Sequence, residues 1–311
     1  MATYVEALET DRRLLWNLCY RMTGSAADAD DLVQETFVRA IEKPPRRTNE
    51  PLRPWLVRVA MNLSRDLLRR RKRRHYLGPW LPSPVPTDEE SPASYEPPAP
   101  RLDSPAARYD LKESISFAFL VALEALTPSQ RAVLLLRDVF DYSTGETAGA
   151  LDITEANVKV TLLRARRKMK EYDRKPGSLD ATHQEATRRA LEQFLLYLGA
   201  RDAEGIERLL AEDVISISDG GPEVNAARMP VRGRDKVLRL ILGLAAKVLI
   251  EPRFTIQMLN GLPSISIEDL RSSATAATRY TVQVDVDDAG RIRRLYAVLA
   301  PRKLSAVRFT S

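Results

Sequence analysis

Residues 127–172, TPSQRAVLLLRDVFDYSTGETAGALDITEANVKVTLLRARRKMKEY, place three helix starts in fewer than thirty positions. Thr127-Pro128-Ser129-Gln130 is a capping box with proline at the first helical position. Ser143-Thr144-Gly145-Glu146 is a second box, and Thr154 can cap a third helix running to about Tyr172. In each, a side-chain oxygen accepts from a backbone N–H that the first turn leaves unpaired. The middle helix, Ser143 to Leu151, is short, and Asp152-Ile153 must turn the chain. Glycine is commoner at such a turn, but Asp tolerates left-handed backbone better than most residues. In the last helix Val158, Leu162, Ala165 and Met169 fall inward, while Lys159, Arg164, Arg166, Arg167 and Lys168 fall outward. A short helix, a tight turn and a longer helix with a basic outer face are the grammar of a helix-turn-helix that enters a major groove.

Toward the N-terminus, the spacing of Leu32, Val33, Phe37, Ala40 and Ile41 predicts a helix over 28–43 with those residues inward. Asp28, Asp30 and Asp31 crowd its first turn, where the helix dipole favours negative charge. A second helix is predicted from Leu52 to about Arg74. Leu56, Val59, Ala60, Leu63 and Leu67 form its apolar stripe, and Arg58, Asn62, Arg65 and Arg69 form a polar stripe on another face. It ends in Arg69-Arg70-Arg71-Lys72-Arg73-Arg74, six adjacent cations that repel one another unless a polyanion is near. The C-terminal end of a helix favours cations in any case, but phosphate contact explains the run better. Residues 1–74 hold 16 Lys and Arg against 10 Asp and Glu, so much of the chain's net charge of +6 sits there.

Residues 75–108 carry nine prolines, a composition that favours extended conformations and reads as a stiff tether. Lys175-Pro176-Gly177-Ser178 marks a second break. Beyond it, helices are predicted over about 183–198 and 203–210. Strands follow over 214–218, 253–259, 264–267, 275–286 and 291–299, with a helix over 235–249 among them. Asp288-Ala289-Gly290 supplies a hairpin turn. The expected organisation is multidomain: two all-α helical domains over 1–74 and 109–175, a Pro-rich linker over 75–108, and a C-terminal α+β domain over 181–311.

With 311 residues, 44% hydrophobic and 29% charged, the composition is that of ordinary folded domains. No apolar run approaches the ~18 residues a membrane span needs. Glu6, Glu9 and Asp11 stand where a secretory signal would carry positive charge, so a cytoplasmic protein is expected. One cysteine, Cys19, excludes an intramolecular disulfide and reads as a core residue. His75 and His183 read as solvated residues at helix or linker edges, and neither a metal nor a cofactor is expected.

Asp28-Ala29-Asp30-Asp31-Leu32-Val33-Gln34-Glu35-Thr36-Phe37-Val38-Arg39-Ala40, followed by Trp55-Leu56-Val57-Arg58-Val59-Ala60-Met61-Asn62-Leu63, resembles region 2 of the extracytoplasmic-function (ECF) RNA polymerase sigma factors. Residues 126–169 resemble their region 4. The resemblance implies a promoter-specificity subunit, not an enzyme, whose partners are core RNA polymerase, through its β′ clamp helices and β flap, and promoter DNA. It implies polymerase docking by Asp30, Asp31, Gln34 and Glu35. It places Arg58, Asn62, Arg65 and Arg69 on the single-stranded −10 element, with the loop from Pro44 to Pro51 helping to pocket an extruded base. Thr154, Glu155, Asn157, Lys159 and Arg164 would read the −35 duplex.

The C-terminal pattern, with Ser218-Asp219-Gly220-Gly221, resembles the SnoaL-like (NTF2-like) cone carried by one group of these factors, and Trp80-Leu81-Pro82 resembles a tether motif of that group. Regulation in cis through Trp80, Leu81, Pro82, Asp219, Gly220 and Gly221 is therefore implied. The chain departs from that group at Pro222, where a further glycine is usual, and at Ala300-Pro301-Arg302-Lys303-Leu304, where Asn-Pro-Asp-Lys-Leu is usual. The competing reading is a DNA-binding protein fused to a SnoaL-like enzyme or ligand-sensing domain. Asp219 and Asp235 are then candidate general bases, and a small-molecule ligand occupies the cone. Such chemistry needs a second acid, His or Tyr inside the cone, and the strand pattern places none. A simple helix-turn-helix repressor would leave residues 1–74 unexplained.

Overall fold

The computed structural model describes residues 2–43, 52–73, 76, 78–88, 91–93, 108–174, 179–246, 253–269 and 277–309. The chain forms two compact bodies, residues 1–75 with 88–177 and residues 76–87 with 178–311.

In the first body, α1 (Ala2–Thr23), α2 (Ala26–Glu42) and α3 (Leu52–Arg73) pack together. Ser25 caps α2 by accepting from the Asp28 N–H at 3.2 Å. Trp16 stacks on Tyr20 at 5.1 Å between ring centroids, and Cys19 lies fully buried beside them in sequence. Two sequence expectations shift here. Ile41 is not inward but 58% exposed, and Val38 is 46% exposed. On α3 the buried stripe is Leu56, Val57, Ala60, Met61, Ser64 and Leu68, whereas Val59, Leu63 and Leu67 are half-buried. Apolar periodicity gives a helix its inner face only when the neighbour on each side is known, and α3 has neighbours on two sides.

The second helical module follows with a short 3-10 turn (Glu113–Ile115), α4 (Phe117–Ala122), α5 (Pro128–Leu134), α6 (Thr144–Leu151) and α7 (Glu155–Arg174). A five-residue π-helical turn, Leu135–Val139, continues α5. Both capping boxes are complete, with side chain and backbone bonded in each direction. Asp152 closes α6 in the left-handed region at φ 53°, ψ 53°, and Thr154 caps α7 through the Asn157 N–H at 3.2 Å. Val158, Leu162, Ala165 and Met169 are all buried. Tyr109, Phe119 and Tyr172 make an edge-to-face aromatic cluster with centroids 5.0–6.1 Å apart.

The second body is α+β. Helices α8 (Ala181–Ala200), α9 (Ala203–Leu209) and α10 (Arg234–Ala245) pack on one six-stranded sheet. Its strands are β1 (Leu210–Asp219), β2 (Val231–Arg232), β3 (Arg253–Leu259), β4 (Leu262–Glu268), β5 (Arg279–Val286) and β6 (Ile292–Val298), in the order β2-β1-β6-β5-β4-β3. Among the described residues, only the β1–β6 pair is parallel. Leu191 and Phe194 of α8 meet Ile265, Val284 and Val286 in the core. The short strand β2 escapes the sequence reading, since two residues carry no periodicity.

Cys19 gives a direct probe of the first body. Burial pushes its thiol up to about 12, so both access and ionisation oppose reaction. A disulfide reagent at pH 8 is expected to label the native chain only as fast as the first body opens; labelling at the rate of a free thiol would contradict this packing.

Candidate functional site

The predicted polar stripe on α3 divides. Asn62 and Arg58 are half-buried, and Arg69 is exposed and paired with Asp66 at 2.9 Å. Arg65 turns inward, and its Nη1 donates to the Leu151 carbonyl at the end of α6 at 3.1 Å. Burial, with Arg69 alongside, pulls Arg65 below the ordinary guanidinium value. The basic run divides too. Arg69 and Arg70 are exposed, but Arg71 donates to the Thr23 carbonyl at 2.7 Å and pairs with Glu124 at 3.2 Å. Reading all six cations as phosphate contacts is therefore corrected at Arg71, where the charge meets an otherwise unpaired helix-end carbonyl. The side chains of residues 72–74 and the loop from Pro44 to Pro51 lie outside the described residues.

On α2, Asp31, Gln34 and Glu35 are exposed, with Glu35 bonded to Arg39 at 2.8 Å. Asp30 is partly engaged: the Trp16 indole donates to it at 2.8 Å, while burial lifts its carboxyl above the ordinary value. Beside these acids, Leu32, Leu63 and Leu67 floor a groove of about 340 Å³ whose rim carries Asp31, Glu35, Arg39, Asp66 and Arg70. Exposed Val38 and Ile41 lie on the same helix. An acidic helix with apolar groups laid open has the chemistry of a docking face for a basic, partly apolar partner.

In the helix-turn-helix, Thr154, Glu155, Asn157, Lys159 and Arg164 are all exposed along the first turns of α7. Arg166 is half-exposed, because it forks onto the buried Asp138 through two bonds of 2.7 and 2.8 Å.

The second body holds a centre that only the folded chain assembles. Asp219, at the end of β1, is 1% exposed. Its Oδ1 accepts from the Tyr76 hydroxyl at 2.6 Å and the Gly221 N–H at 3.0 Å. Its Oδ2 accepts from the Leu81 N–H at 2.7 Å and lies 2.6 Å from the Lys303 ammonium. Lys303 also donates to the Leu81 carbonyl and sits 4.3 Å from the Trp80 ring and 4.9 Å from the Tyr76 ring. The carboxylate is thus met by four donors and the ammonium by a carboxylate, a carbonyl and two aromatic faces.

Gly220 is required because a Cβ there would lie 2.3 Å from the Val224 carbonyl oxygen. Gly221 is required by φ +59°. Farther along, Val85 and Asn260 exchange two bonds of 2.9 Å, and the Thr87 N–H donates to the Met258 carbonyl at 3.1 Å. The segment 76–87, expected to be stiff and extended, is extended as its prolines demand, and it is docked. Leu81, Pro82, Ser83, Pro84 and Val85 are buried and Trp80 half-buried.

Two further expectations change. Asp235 is exposed in the first turn of α10, where the helix dipole explains it. His183, expected to be solvated, has its Nε2 3.3 Å from Oδ1 of the buried Asp285, whose Oδ2 accepts from Arg293 at 2.9 Å. The acid–histidine pair that the strand pattern failed to place thus exists. A β-bulge between Asp285 and Val286 breaks strict alternation there, which hides the pair from sequence. Burial raises the Asp285 carboxyl, but the hydrogen bond from His183 and the Arg293 guanidinium outweigh it and hold the carboxyl below its ordinary value, the setting of a structural pair rather than of a general base. Among the described residues no group of three or more His, Cys, Asp or Glu could hold a metal, and no helix is long and apolar enough to cross a membrane.

Two helical modules, one of them a helix-turn-helix, joined by a proline-rich segment fit a promoter-specificity subunit better than a simple repressor. The chain matches the family models for Sigma-70 region 2 over residues 8–74 and Sigma-70 region 4 over residues 116–169. It is 33% identical to the ECF RNA polymerase sigma factor SigJ of Mycobacterium tuberculosis, over 78% of this chain and 73% of that protein. It is 37% identical to SigG of the same species, over 65% of this chain and 56% of that one. The crystal structure of M. tuberculosis SigJ superposes with a TM-score of 0.73 at 27% identity, covering 100% of both chains. The chain belongs to the ECF sigma factors of RNA polymerase, and SigJ shares its fold along the whole length, the C-terminal α+β domain included.

Two outcomes test this geometry. Lys303→Met leaves Asp219 buried and unbalanced, a loss of about 3–5 kcal/mol, while the double change Asp219→Asn with Lys303→Met recovers most of it; urea melts of the second body read both. Asp285, with a depressed carboxyl, stabilises the fold at neutral pH, and that stability is lost on acidification through its folded value, below the ordinary 3.8. Asp285→Asn should therefore flatten the acid limb of the stability profile; an unchanged limb would remove Asp285 from the account.

Proposed function

We propose that this sigma factor reads its −10 element with Arg58, Asn62, Arg65 and Arg69 of α3 and its −35 element with Thr154, Glu155, Asn157, Lys159 and Arg164 of α7. It docks on the β′ clamp helices through Asp31, Gln34 and Glu35, with Asp30 behind them, while region 4 meets the β flap. The cone regulates the factor in cis by holding the tether between regions 2 and 4. The observation that carries the regulatory part is the Asp219–Lys303 centre, which binds Tyr76, Trp80 and Leu81 of the tether by groups from two distant loops of the cone. A chain segment that must change course whenever the two promoter-reading modules separate is a natural control point.

What supports regulation over catalysis in the cone is the state of its acids. Asp219 is saturated by the tether and Lys303, Asp285 is held by Arg293 and a hydrogen bond from His183, and Asp235 faces water. None is placed to abstract a proton from a bound substrate.

Run-off transcription with core polymerase tests both halves in the full-length chain. Asn62→Ala is expected to reduce open-complex formation tenfold or more while a pull-down shows unchanged polymerase binding; equal loss of both would contradict the −10 assignment. Lys303→Met is expected to change output several-fold at equal holoenzyme concentration. Unchanged output at limiting and saturating core would end the cis-regulatory reading.

A further inference from the structure

The face of the sheet under α8 is packed with Leu191, Phe194, Ile265 and Val284, with Val282 against them. Alternation along the first residues of β5 turns Arg279 to the opposite face. There the chain after β6 returns over the sheet, where the Gln257 side-chain amide donates to the Arg308 carbonyl at 3.0 Å. Between this returning segment, the start of β5 and the turn after β1 lies a cavity of about 410 Å³. Its walls include Val224, Leu299, Pro301, Leu304, Val307 and Phe309, and its polar groups are the hydroxyls of Thr278 and Ser305 and the guanidinium of Arg279. An apolar enclosure of this size with a few polar groups has the make-up of a small-molecule site.

The charge already present decides what kind of molecule fits. Glu268 accepts from Arg279 Nε at 2.7 Å and lies 2.6 Å from its Nη2, while the guanidinium stands 5.3 Å from the centre of the Phe309 ring. The cation is thus balanced, yet a guanidinium has three nitrogens and five N–H donors, and this pairing leaves Nη1 to a further acceptor. A ligand carboxylate there would stand beside Glu268, like charge against like; a neutral carbonyl or ester oxygen would not.

The same walls carry the Asp219–Lys303 centre. The Val224 N–H donates to the Gly220 carbonyl at 3.2 Å and closes the turn that starts at Asp219. Leu299 and Ala300 donate to the Asp219 carbonyl at 2.8 and 3.0 Å, and Lys303 stands between the wall residues Pro301 and Leu304. A molecule in the cavity therefore touches both loops whose meeting brings the Asp219 carboxylate to the Lys303 ammonium.

We propose that this cavity binds a neutral, mainly apolar small molecule whose carbonyl or ester oxygen is received by Arg279, and that its occupation tightens the hold of the Asp219–Lys303 centre on Tyr76, Trp80 and Leu81. The ligand binds best when the two loops are together, which is also the state that binds the tether, so each event favours the other by the same factor. The consequence for transcription rests on the cis-regulatory role proposed above; the site itself does not.

The full-length chain can be titrated with N-phenyl-1-naphthylamine, a neutral dye whose emission rises in apolar surroundings. Saturable binding is expected, and it is lost with Ser305→Trp and with Thr278→Trp, two exposed wall positions from which an indole fills the cavity without entering the core. Methyl cinnamate is expected to displace the dye, and cinnamate, which differs by its charge, to do so about tenfold less well. Tyr76→Phe, which removes one tether donor from Asp219, is expected to weaken dye binding several-fold. No saturable binding, or binding that both tryptophan variants leave intact, would overturn the site. Equal displacement by ester and acid, or displacement by neither, would overturn the ligand class, and an affinity indifferent to Tyr76→Phe would overturn the coupling. In run-off transcription, output moved by Lys303→Met but not by methyl cinnamate would remove the ligand from the control of output, whereas output moved by neither would remove the cis-regulatory role and leave the binding site standing.

Discussion

A charge taken out of water has to be met on every side, and each body of this protein turns on one such obligation. In the second body it is the carboxylate of Asp219, with four donors around it and Lys303 completing the set. Withdraw the tether and two of the four donors go, along with the aromatic faces over the ammonium. In the first body the obligation falls on Arg21 and Arg131, both enclosed and bonded to carbonyls of the facing module, with the Arg131 Nε left without a hydrogen bond among the described residues. Paired buried charges add little net stability over an apolar contact of similar size, but they tolerate one partner geometry and penalise the rest. The consequence is specificity of docking rather than strength.

What could be read from the sequence is what neighbours in the chain decide. The capping boxes at Thr127 and Ser143, the Asp152 turn and the inward set of α7 all depend on residues within four positions of one another. So does the hairpin turn, where Gly290 adopts φ 75° and donates to the Asp287 carbonyl at 2.8 Å. The exposure of Thr154, Glu155, Asn157, Lys159 and Arg164 on α7 follows from the same periodicity. The extended state of the tether follows from proline alone.

What could not be read depends on partners far along the chain. Lys303 lies 84 positions from Asp219, and Asp219 lies 138 from Leu81. No local pattern marks Arg21, Arg71 or Arg131 for enclosure, since an arginine on a helix is ordinarily solvated. The same blindness put Ile41 inside α2 and the wrong edge of α3 against the core. It also hid His183 and Asp285, brought together across a bulge from segments about a hundred residues apart.

The pairing of the tether with β3 has one more effect. Pro86 bridges Leu259 at the outer margin of the sheet, in the company of the Val85–Asn260 and Thr87–Met258 bonds. A rim strand with unpaired backbone groups is an invitation to foreign strands, and a proline-bearing strip laid along it closes that invitation without offering a new one. Were the strip to lift, part of that rim would lie bare and open to pairing with a foreign strand.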